Sequence, residues 1–236
     1  MKHYAMTDIH GNFELFDKAM DWIKTDSNDD YLLYFLGDAI DRGDNGYQIM
    51  ISLLENLKVV YLKGNHEDIF VRAAIEYSEL AMQFDCTRSE LIARFDGDVE
   101  AIMNYGIDMS LYYQNGGKST FQDWIRAGAK MNIVYKVRSL PLKATWEDYD
   151  MCHAGCQITD WDNESALLWD RSHFASAWFP ERILIHGHTP LGEDCAKIAH
   201  YQEQKYNLDC GSWYTGILKV MRLEDKGIKT IMNGAD

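Results

Sequence analysis

The sequence is poor in basic residues, with 23 Lys and Arg against 37 Asp and Glu among 236 residues and a net charge of −14. Binding to nucleic acid needs clustered lysine and arginine, so we expect no nucleic-acid partner. A phosphorylated substrate is compatible with this charge, because bound cations can supply positive potential locally. Acidic side chains are also the ligands that hard metal ions prefer.

Long apolar runs and linker-like segments are also missing. The longest apolar runs, such as residues 31–36, are far too short to cross a bilayer, so we expect no membrane partner. Only three prolines occur, and we predict a single domain over residues 1–236. No signal peptide is recognised before the first motif, which predicts a cytoplasmic protein, and we favour a monomer.

The five cysteines have no paired zinc-binding spacing. Cys152 and Cys156 flank His153, which makes a zinc role conceivable. Reduced, partly buried thiols of a cytoplasmic protein are the better interpretation.

Six short apolar runs each end at a polar tip. They cover residues 2–6, 31–36, 59–62, 150–152, 183–185 and 206–208. Continuous apolar runs bounded by glycine and aspartate predict strands buried on both faces. Helical periodicity over residues 13–24 and 47–57 lies between them, and this alternation predicts an α/β core. We interpret residues 69–133 as a mainly helical insertion, and residues 216–232 predict a β-hairpin.

The polar tips carry side chains that bind metals. In open α/β sheets, ligands bind beyond the carboxyl ends of the strands, so these tips could converge on one site. Carboxylate and amide oxygens suit hard ions, and imidazole suits first-row transition metals, which favours Mn²⁺, Fe or Zn²⁺ over Ca²⁺. Two such ions about 3.5–4 Å apart could clamp the attacking and leaving oxygens of a phosphoryl group. The candidate ligands are Asp8, His10, Asp38, Asn65, His153 and His188.

Several motifs contain these candidates in a fixed order. They read Asp8-x-His10-Gly11, Gly37-Asp38-x-x-Asp41-Arg42-Gly43, Gly64-Asn65-His66-Glu67, His153-Ala154-Gly155 and Gly187-His188-Thr189, with Arg171 before the last. In order and spacing they resemble the signature of the phosphoprotein phosphatase superfamily of metallophosphoesterases. Asn115-Gly116-Gly117 resembles a segment of its bacterial and phage-type members. Symmetrical dinucleoside tetraphosphatases share much of this signature.

The resemblance implies a calcineurin-like fold, in which two mixed β-sheets form a sandwich flanked by helices. It also implies two divalent metal ions as cofactors, with Mn²⁺ favoured and Fe or Zn²⁺ as alternatives. The ligand sets that it implies are Asp8, His10 and Asp38 for the first metal, and the bridging Asp38 with Asn65, His153 and His188 for the second.

The expected reaction is hydrolysis of a phosphate monoester. A hydroxide between two metal ions is nucleophilic at neutral pH, because the cations lower its pKa. Arg42 and Arg171 could hold phosphate oxygens, although Arg171 could instead pair with a neighbouring carboxylate. His66 would protonate the leaving oxygen, with Asp41 orienting its ring.

The sequence leaves the substrate open between a phosphorylated protein and a small phosphorylated molecule. The first hypothesis is a serine/threonine or dual-specificity protein phosphatase, because residues 8–12, with Ile9 and Asn12, resemble the phage-type phosphatases more closely. The alternative is a symmetrical dinucleoside tetraphosphate hydrolase or another small-molecule phosphatase. A non-catalytic scaffold is disfavoured, because Asp41, Arg42 and His66 are all present.

Other residues have weaker assignments. His186 could lie near the site without binding metal, and the role of Asp209 is open. Glu67 is interpreted as a supporting residue. The aromatic-rich residues 105–124 could form a substrate wall or part of the core. Surface or packing positions are expected for His3, His173 and His200.

Overall fold

The computed structural model describes residues 1–172, 176–191 and 204–234. The expectations for His173 and His200, and the thiol of Cys195, lie outside the described residues. Within those ranges, Cys86, Cys152 and Cys156 are free thiols. None of the described helices combines the length and apolar character needed to cross a membrane.

The first β-sheet has the strand order β3-β2-β1-β8-β9. β1 pairs in parallel with β2, and β2 with β3, whereas β8 is antiparallel to both β1 and β9. The strands are β1 (Lys2–Met6), β2 (Tyr31–Phe35), β3 (Val59–Tyr61), β8 (Ile217–Arg222) and β9 (Gly227–Met232). β8 and β9 form the β-hairpin predicted over residues 216–232.

The second β-sheet has the order β4-β5-β6-β7. β4 is antiparallel to β5, and the other pairs are parallel. The strands are β4 (Lys143–Trp146), β5 (Tyr149–Cys152), β6 (Ile183–His186) and β7 (Lys205–Asn207). The predicted α/β class with two mixed sheets is therefore confirmed.

The central strands of the first sheet are buried on both faces. Along β1, Ala5 joins an apolar cluster that includes Met151 and Ile185 of the second sheet. Tyr4 and Met6, on the opposite face of the strand, join a larger cluster with the helices. Because side chains alternate along a strand, a strand between two apolar layers needs apolar residues at successive positions.

The helices lie on the outer faces and between the strands. α1 begins after Asn12, whose side chain accepts a hydrogen bond from the Leu15 amide (3.2 Å), and it ends at Asn28 in the left-handed conformation. The α-helices are α1 (Phe13–Ser27), α2 (Gly46–Glu55), α3 (Asn65–Gln83), α4 (Arg88–Leu91), α5 (Val99–Met103), α6 (Ile107–Gln114), α7 (Lys118–Arg126), α8 (Met131–Arg138), α9 (Glu164–Trp169) and α10 (Ser212–Thr215).

Helices α3 to α8 lie between β3 and β4 along the chain, and α3, α6 and α7 share an aromatic core. Phe121 packs at ring-centroid distances of 5.3 to 5.9 Å from Trp124, Tyr77 and Tyr112. Tyr112, Phe121 and Trp124 are fully buried. These three rings of the aromatic-rich segment 105–124 therefore form core rather than a solvent-facing wall.

Asp26 at the end of α1 holds two strands of the first sheet. Its carboxylate accepts hydrogen bonds from the Tyr4 hydroxyl (2.6 Å), the Lys2 ammonium (3.0 Å) and the Arg222 guanidinium (3.0 Å). The hydrogen bond from Tyr4 is the largest effect that lowers the pKa of Asp26, which falls from 3.8 to about 2.

We expect Asp26→Asn to lower the free energy of unfolding by about 1–2 kcal/mol at neutral pH, because charge-assisted hydrogen bonds are lost. Since the folded-state pKa of Asp26 is lowered, its stabilisation is present above pH 3.8 and disappears as the pH falls through 2. Urea unfolding at neutral and acidic pH measures both effects. Asp21→Asn is the control, because its carboxylate is 71% exposed; equal losses in both variants would contradict the assignment.

Candidate active site

The loops after the parallel strands bring the six candidate metal ligands together. Asp8 and His10 follow β1, Asp38 follows β2, and Asn65 is the first residue of α3. His153 and His188 follow β5 and β6 in the second sheet. All six side chains are buried, with at most 5% exposure. The carboxyl ends of strands from both sheets therefore meet at one site.

Asp38 lies at the centre of this arrangement. Its Oδ2 is 3.5 Å from His10 Nε2 and 3.4 Å from His153 Nε2. Two groups of ligand atoms are close enough to hold a metal ion, and both include Asp38. They are His10, Asp38 and His66 in the first group, and Asp38, His153 and His188 in the second.

The first group contains His66 where the sequence assignment has Asp8. One oxygen of Asp8, Oδ2, accepts hydrogen bonds from the Thr7 hydroxyl (2.6 Å) and the His188 amide (3.0 Å). The other oxygen, Oδ1, lies 3.8 Å from His10 Nε2. His66 Nε2 lies 3.9 Å from Asp38 Oδ2. Asp8 therefore approaches His10, and His66 approaches Asp38, each to within 4 Å.

One histidine of the second group has a ring nitrogen without a hydrogen-bond partner among the described residues, and such a nitrogen can bind a cation. Asn65 Oδ1 is 2.9 Å from His153 Nε2 and 2.9 Å from His188 Nδ1. His188 Nε2 is buried and has no hydrogen-bond partner within the described ranges. Buried polar atoms without a partner are rare, because desolvation is then uncompensated. Imidazole, carboxylate and amide donors together fit a divalent metal ion.

Burial and neighbouring charges push the pKa values of the imidazoles apart. Burial, followed by the neighbouring His153, lowers the pKa of His188 to about 2. Burial also disfavours the charged form of His153, but Asp38 and Asp8 outweigh it and raise its pKa to about 10. Without a cation, His153 therefore carries a proton at neutral pH, which a metal ion would displace.

The backbone around these ligands adopts an unusual conformation. Asp8, His10, Asp38 and His188 have φ values between +46° and +68°, in the left-handed region. Such backbone costs non-glycine residues about 1–2 kcal/mol each and clusters at functional sites. Backbone hydrogen bonds offset this cost, since the Asp8 amide donates to the Gly37 carbonyl (3.1 Å) and the His10 amide donates to the Asp38 carbonyl (3.1 Å).

Glu67 fixes the turn that carries Asp38. Its fully buried carboxylate accepts hydrogen bonds from the amides of Asp38 (2.8 Å), Ala39 (2.9 Å) and Gly64 (2.8 Å). A fourth comes from the Tyr61 hydroxyl (2.7 Å). Four donors to one carboxylate hold the loops after β2 and β3 in a single arrangement. Gly64 is required there, because a Cβ atom would collide with the Asp38 carboxylate.

His66 and Arg42 lie beside the metal-binding groups. His66 Nδ1 is 2.7 Å from Asp41 Oδ2. Burial disfavours the charged form of His66, but Asp38 and Asp41 together raise its pKa above the ordinary value. Arg42 Nη2 lies 3.0 Å from His66 Nε2, and Arg42 Nη1 lies 2.9 Å from His10 Nε2. The second ring nitrogen of His66 therefore faces the site.

Arg171 lies at a different side of the site. It is exposed, and its Nη1 donates to the Thr189 hydroxyl (3.0 Å), next to His188.

His186 is buried, with Nδ1 3.1 Å from the Gly187 carbonyl. Asp209 is buried close to Asp8, and burial raises its pKa well above the ordinary range.

Several residues at the site were not singled out from the sequence. The Tyr112 hydroxyl donates to the Asp41 carboxylate, and the Ser212 hydroxyl donates to the Asp8 carbonyl. The exposed indole of Trp213 lies 5.7 Å from the Arg42 guanidinium carbon, and Trp169 contacts the His188 ring edge-on at 6.0 Å. Ordinary apolar patterning gave no signal for these contacts, because each depends on distant parts of the chain.

We expect Asp38→Asn to reduce bound metal from two ions to one or none, because Asp38 belongs to both groups and the neutral amide is a weaker ligand. Elemental analysis after gel filtration with Mn²⁺ measures the content. Asp44→Asn, an exposed position in the next turn, is the matched control. Retention of two ions in the Asp38 variant would contradict its shared role.

No curated protein is significantly similar to this chain in sequence. Among solved structures, a protein assigned as a diadenosine tetraphosphatase matches with 14% identity and a TM-score of 0.62, over 99% of this chain and 95% of its own. A metallophosphoesterase from Sphaerobacter thermophilus matches with 12% identity and a TM-score of 0.54, over 100% and 90%.

A protein serine/threonine phosphatase from Saccharomyces cerevisiae also matches, with 14% identity, a TM-score of 0.57, and coverage of 100% of this chain and 81% of its own. These identities establish the shared fold only. The family model for calcineurin-like phosphoesterases matches residues 1–234. The chain therefore belongs to the calcineurin-like phosphoesterase family, whose members are phosphoester hydrolases.

Proposed function

We propose that this chain is a two-metal phosphomonoesterase that acts on phosphorylated serine or threonine side chains of proteins. A dual-specificity enzyme would also act on phosphotyrosine. One observation carries this proposal: two groups of buried ligand atoms share Asp38 and lie beside the His66–Asp41 pair and Arg42. Similar solved structures include serine/threonine and tyrosine phosphatases, which is consistent with a phosphoprotein substrate.

The proposed metal ligands are the six side chains at the strand ends. When bound, two divalent ions, with Mn²⁺ favoured, would lower the pKa of water and offset the charge of the phosphate. The unsatisfied His188 Nε2 and the shared Asp38 carboxylate support this assignment. The proposed set is Asp8, His10 and Asp38 for one ion, and Asp38, Asn65, His153 and His188 for the other.

Arg42 and Arg171 are the proposed phosphate-holding residues. Both guanidinium groups are exposed, and each lies beside one metal-binding group, Arg42 next to His10 and Arg171 next to Thr189. A phosphate dianion accepts stronger hydrogen bonds than a neutral imidazole. We therefore expect the Arg42 guanidinium to turn from the imidazoles to the phosphate when substrate binds.

His66 is the proposed general acid. Its Nδ1 is fixed by Asp41, so a proton at Nε2 points towards the site and can pass to the leaving oxygen. Asp38 and Asp41 favour the protonated form of His66. Asp41 thus orients the ring and stabilises its positive charge, without contacting the substrate.

We expect His66→Asn to lower kcat by about 10²–10⁴-fold, because proton donation to the leaving group is lost. The variant should retain two bound metal ions, since the proposed ligand set does not include His66. Turnover of p-nitrophenyl phosphate and metal content are measured on the same sample. His3→Asn, which removes a ring hydrogen-bonded to Glu224 far from the motifs, is the control. Loss of one metal ion would instead make His66 a ligand.

Two exposed indoles favour a second candidate, a dinucleoside polyphosphate. Trp213 lies against Arg42 on the side of the first metal-binding group, and Trp169 contacts His188 of the second. Their exposures are 47% and 41%, so both can stack on planar groups. A polyphosphate lying across the shared Asp38 would extend towards both rings. This arrangement suits a nucleobase at each end of the substrate.

A substrate panel with indole variants separates the two candidates. For a dinucleoside polyphosphate hydrolase, Trp213→Ala and Trp169→Ala should each raise KM for diadenosine tetraphosphate by about tenfold, since stacking is worth about 1–3 kcal/mol per base. For a protein phosphatase, the wild type should prefer a phosphoserine peptide. Trp22→Ala, which removes an indole in α1 that packs edge-on against Tyr4 of β1, is the control. A preference for the dinucleotide with sensitivity to both indoles would overturn the phosphoprotein assignment.

A further inference from the structure

We infer that Tyr112 is a positioning residue for the acid: its hydroxyl holds Asp41, and through Asp41 it holds His66. Helices α6 and α7, which lie outside the two sheets, would then complete the catalytic apparatus. This inference rests on the proposed role of His66 as general acid.

The contacts form a continuous chain of three side chains. The Tyr112 hydroxyl donates to Asp41 Oδ1, and His66 Nδ1 lies 2.7 Å from Asp41 Oδ2. Tyr112 and Asp41 are fully buried, and His66 is 1% exposed. Each oxygen of the carboxylate is therefore held by one ring, so Asp41 cannot rotate about its χ2 bond without breaking both hydrogen bonds.

The same two helices also hold the backbone of residues 41–43. The Asp41 amide donates to the Thr120 hydroxyl (3.0 Å), and the Arg42 amide donates to the Gly116 carbonyl (3.0 Å). The Asp41 and Arg42 φ values are +71° and +65°, a conformation that needs such support. Both the acid's partner and the proposed phosphate-holding arginine therefore depend on α6, α7 and the turn between them.

Packing fixes the Tyr112 ring where its hydroxyl reaches Asp41. The ring lies 5.9 Å from both Phe70 and Phe121, measured between centroids. It also covers Gly117, where a Cβ atom would overlap the ring. Buried tyrosines usually find a polar partner, and Tyr77 in the same aromatic core illustrates the ordinary case, because its hydroxyl donates to the Arg88 backbone carbonyl (2.7 Å). Tyr112 differs because its partner is the carboxylate that holds the acid.

A misplaced acid has a specific chemical consequence. The leaving oxygen of phenyl phosphate needs a proton more than that of p-nitrophenyl phosphate, because the nitrophenolate is the weaker base. Loss of acid positioning should therefore slow hydrolysis of phenyl phosphate more than hydrolysis of p-nitrophenyl phosphate. General damage to folding or metal binding should slow both substrates by a similar factor.

The test compares Tyr112→Phe with Tyr77→Phe in the metal-loaded protein. Both variants remove one buried hydroxyl from the same aromatic core and keep the ring. The measured quantity is kcat for p-nitrophenyl phosphate divided by kcat for phenyl phosphate. We expect Tyr112→Phe to raise this ratio by about tenfold, part of the 10²–10⁴-fold effect of a general acid. Tyr77→Phe should leave the ratio within about twofold of the wild type. Equal ratios in the two variants would overturn the inference.

Two further measurements separate this inference from the proposed function. His66→Asn should raise the same ratio; if it does not, the acid assignment itself fails. If it does, and Tyr112→Phe behaves like Tyr77→Phe, only the role of Tyr112 is refuted.

In an Asp41→Asn background, Tyr112→Phe should change the ratio by less than about twofold, because Tyr112 acts through Asp41. Additive effects would contradict that route. If Tyr112→Phe proves too unstable to assay, Thr120→Val, which removes the hydroxyl that accepts a hydrogen bond from the Asp41 amide, should also raise the ratio. An unchanged ratio would then overturn the inference.

Discussion

The structure depends on keeping several buried carboxylates close together. Asp8, Asp38, Asp41 and Glu67 are all at most 2% exposed at the carboxyl ends of the strands. Burial without compensation would cost several kcal/mol for each charged group. Three kinds of partner offset this cost: backbone amides around Glu67, imidazoles around Asp38, and the cations that we propose between them.

The unusual backbone follows from that constraint. Amide and imidazole groups can point at one carboxylate only if the chain turns sharply after each strand, which places Asp8, Asp38 and Asp41 in the left-handed region. Gly64 and Gly187 are needed for the same reason, because side chains there would overlap the carboxylates of Asp38 and Asp8. The strain is supported by two sheets whose apolar faces are buried against each other and against the helices.

The sequence predicted the parts of the fold that have a local signal. Strand β1 has the predicted limits, because Tyr4, Ala5 and Met6 lie between two apolar layers, and the metal-binding candidates sit where glycine marks a strand end. Edge strand β4 was missed, because Lys143–Trp146 is only four residues long and contains no continuous apolar run; among the described residues it pairs with β5 alone. Tyr112 could be recognised only as a core residue. Its contact joins positions 71 residues apart, and it depends on how α6 packs against the loop after β2.

The contacts that α6 and α7 make with the site also bear on substrate specificity. Solved structures with the same fold share only 12 to 15% identity with this chain and include phosphatases described as acting on different substrates. The fold therefore does not determine the substrate. In this chain, α6 and α7 contact Asp41 through Tyr112 and Thr120, and the turn between the two helices contacts the Arg42 amide through Gly116. A change in this region would therefore move Asp41 and Arg42 together, and with them the acid and the phosphate-holding arginine that we propose.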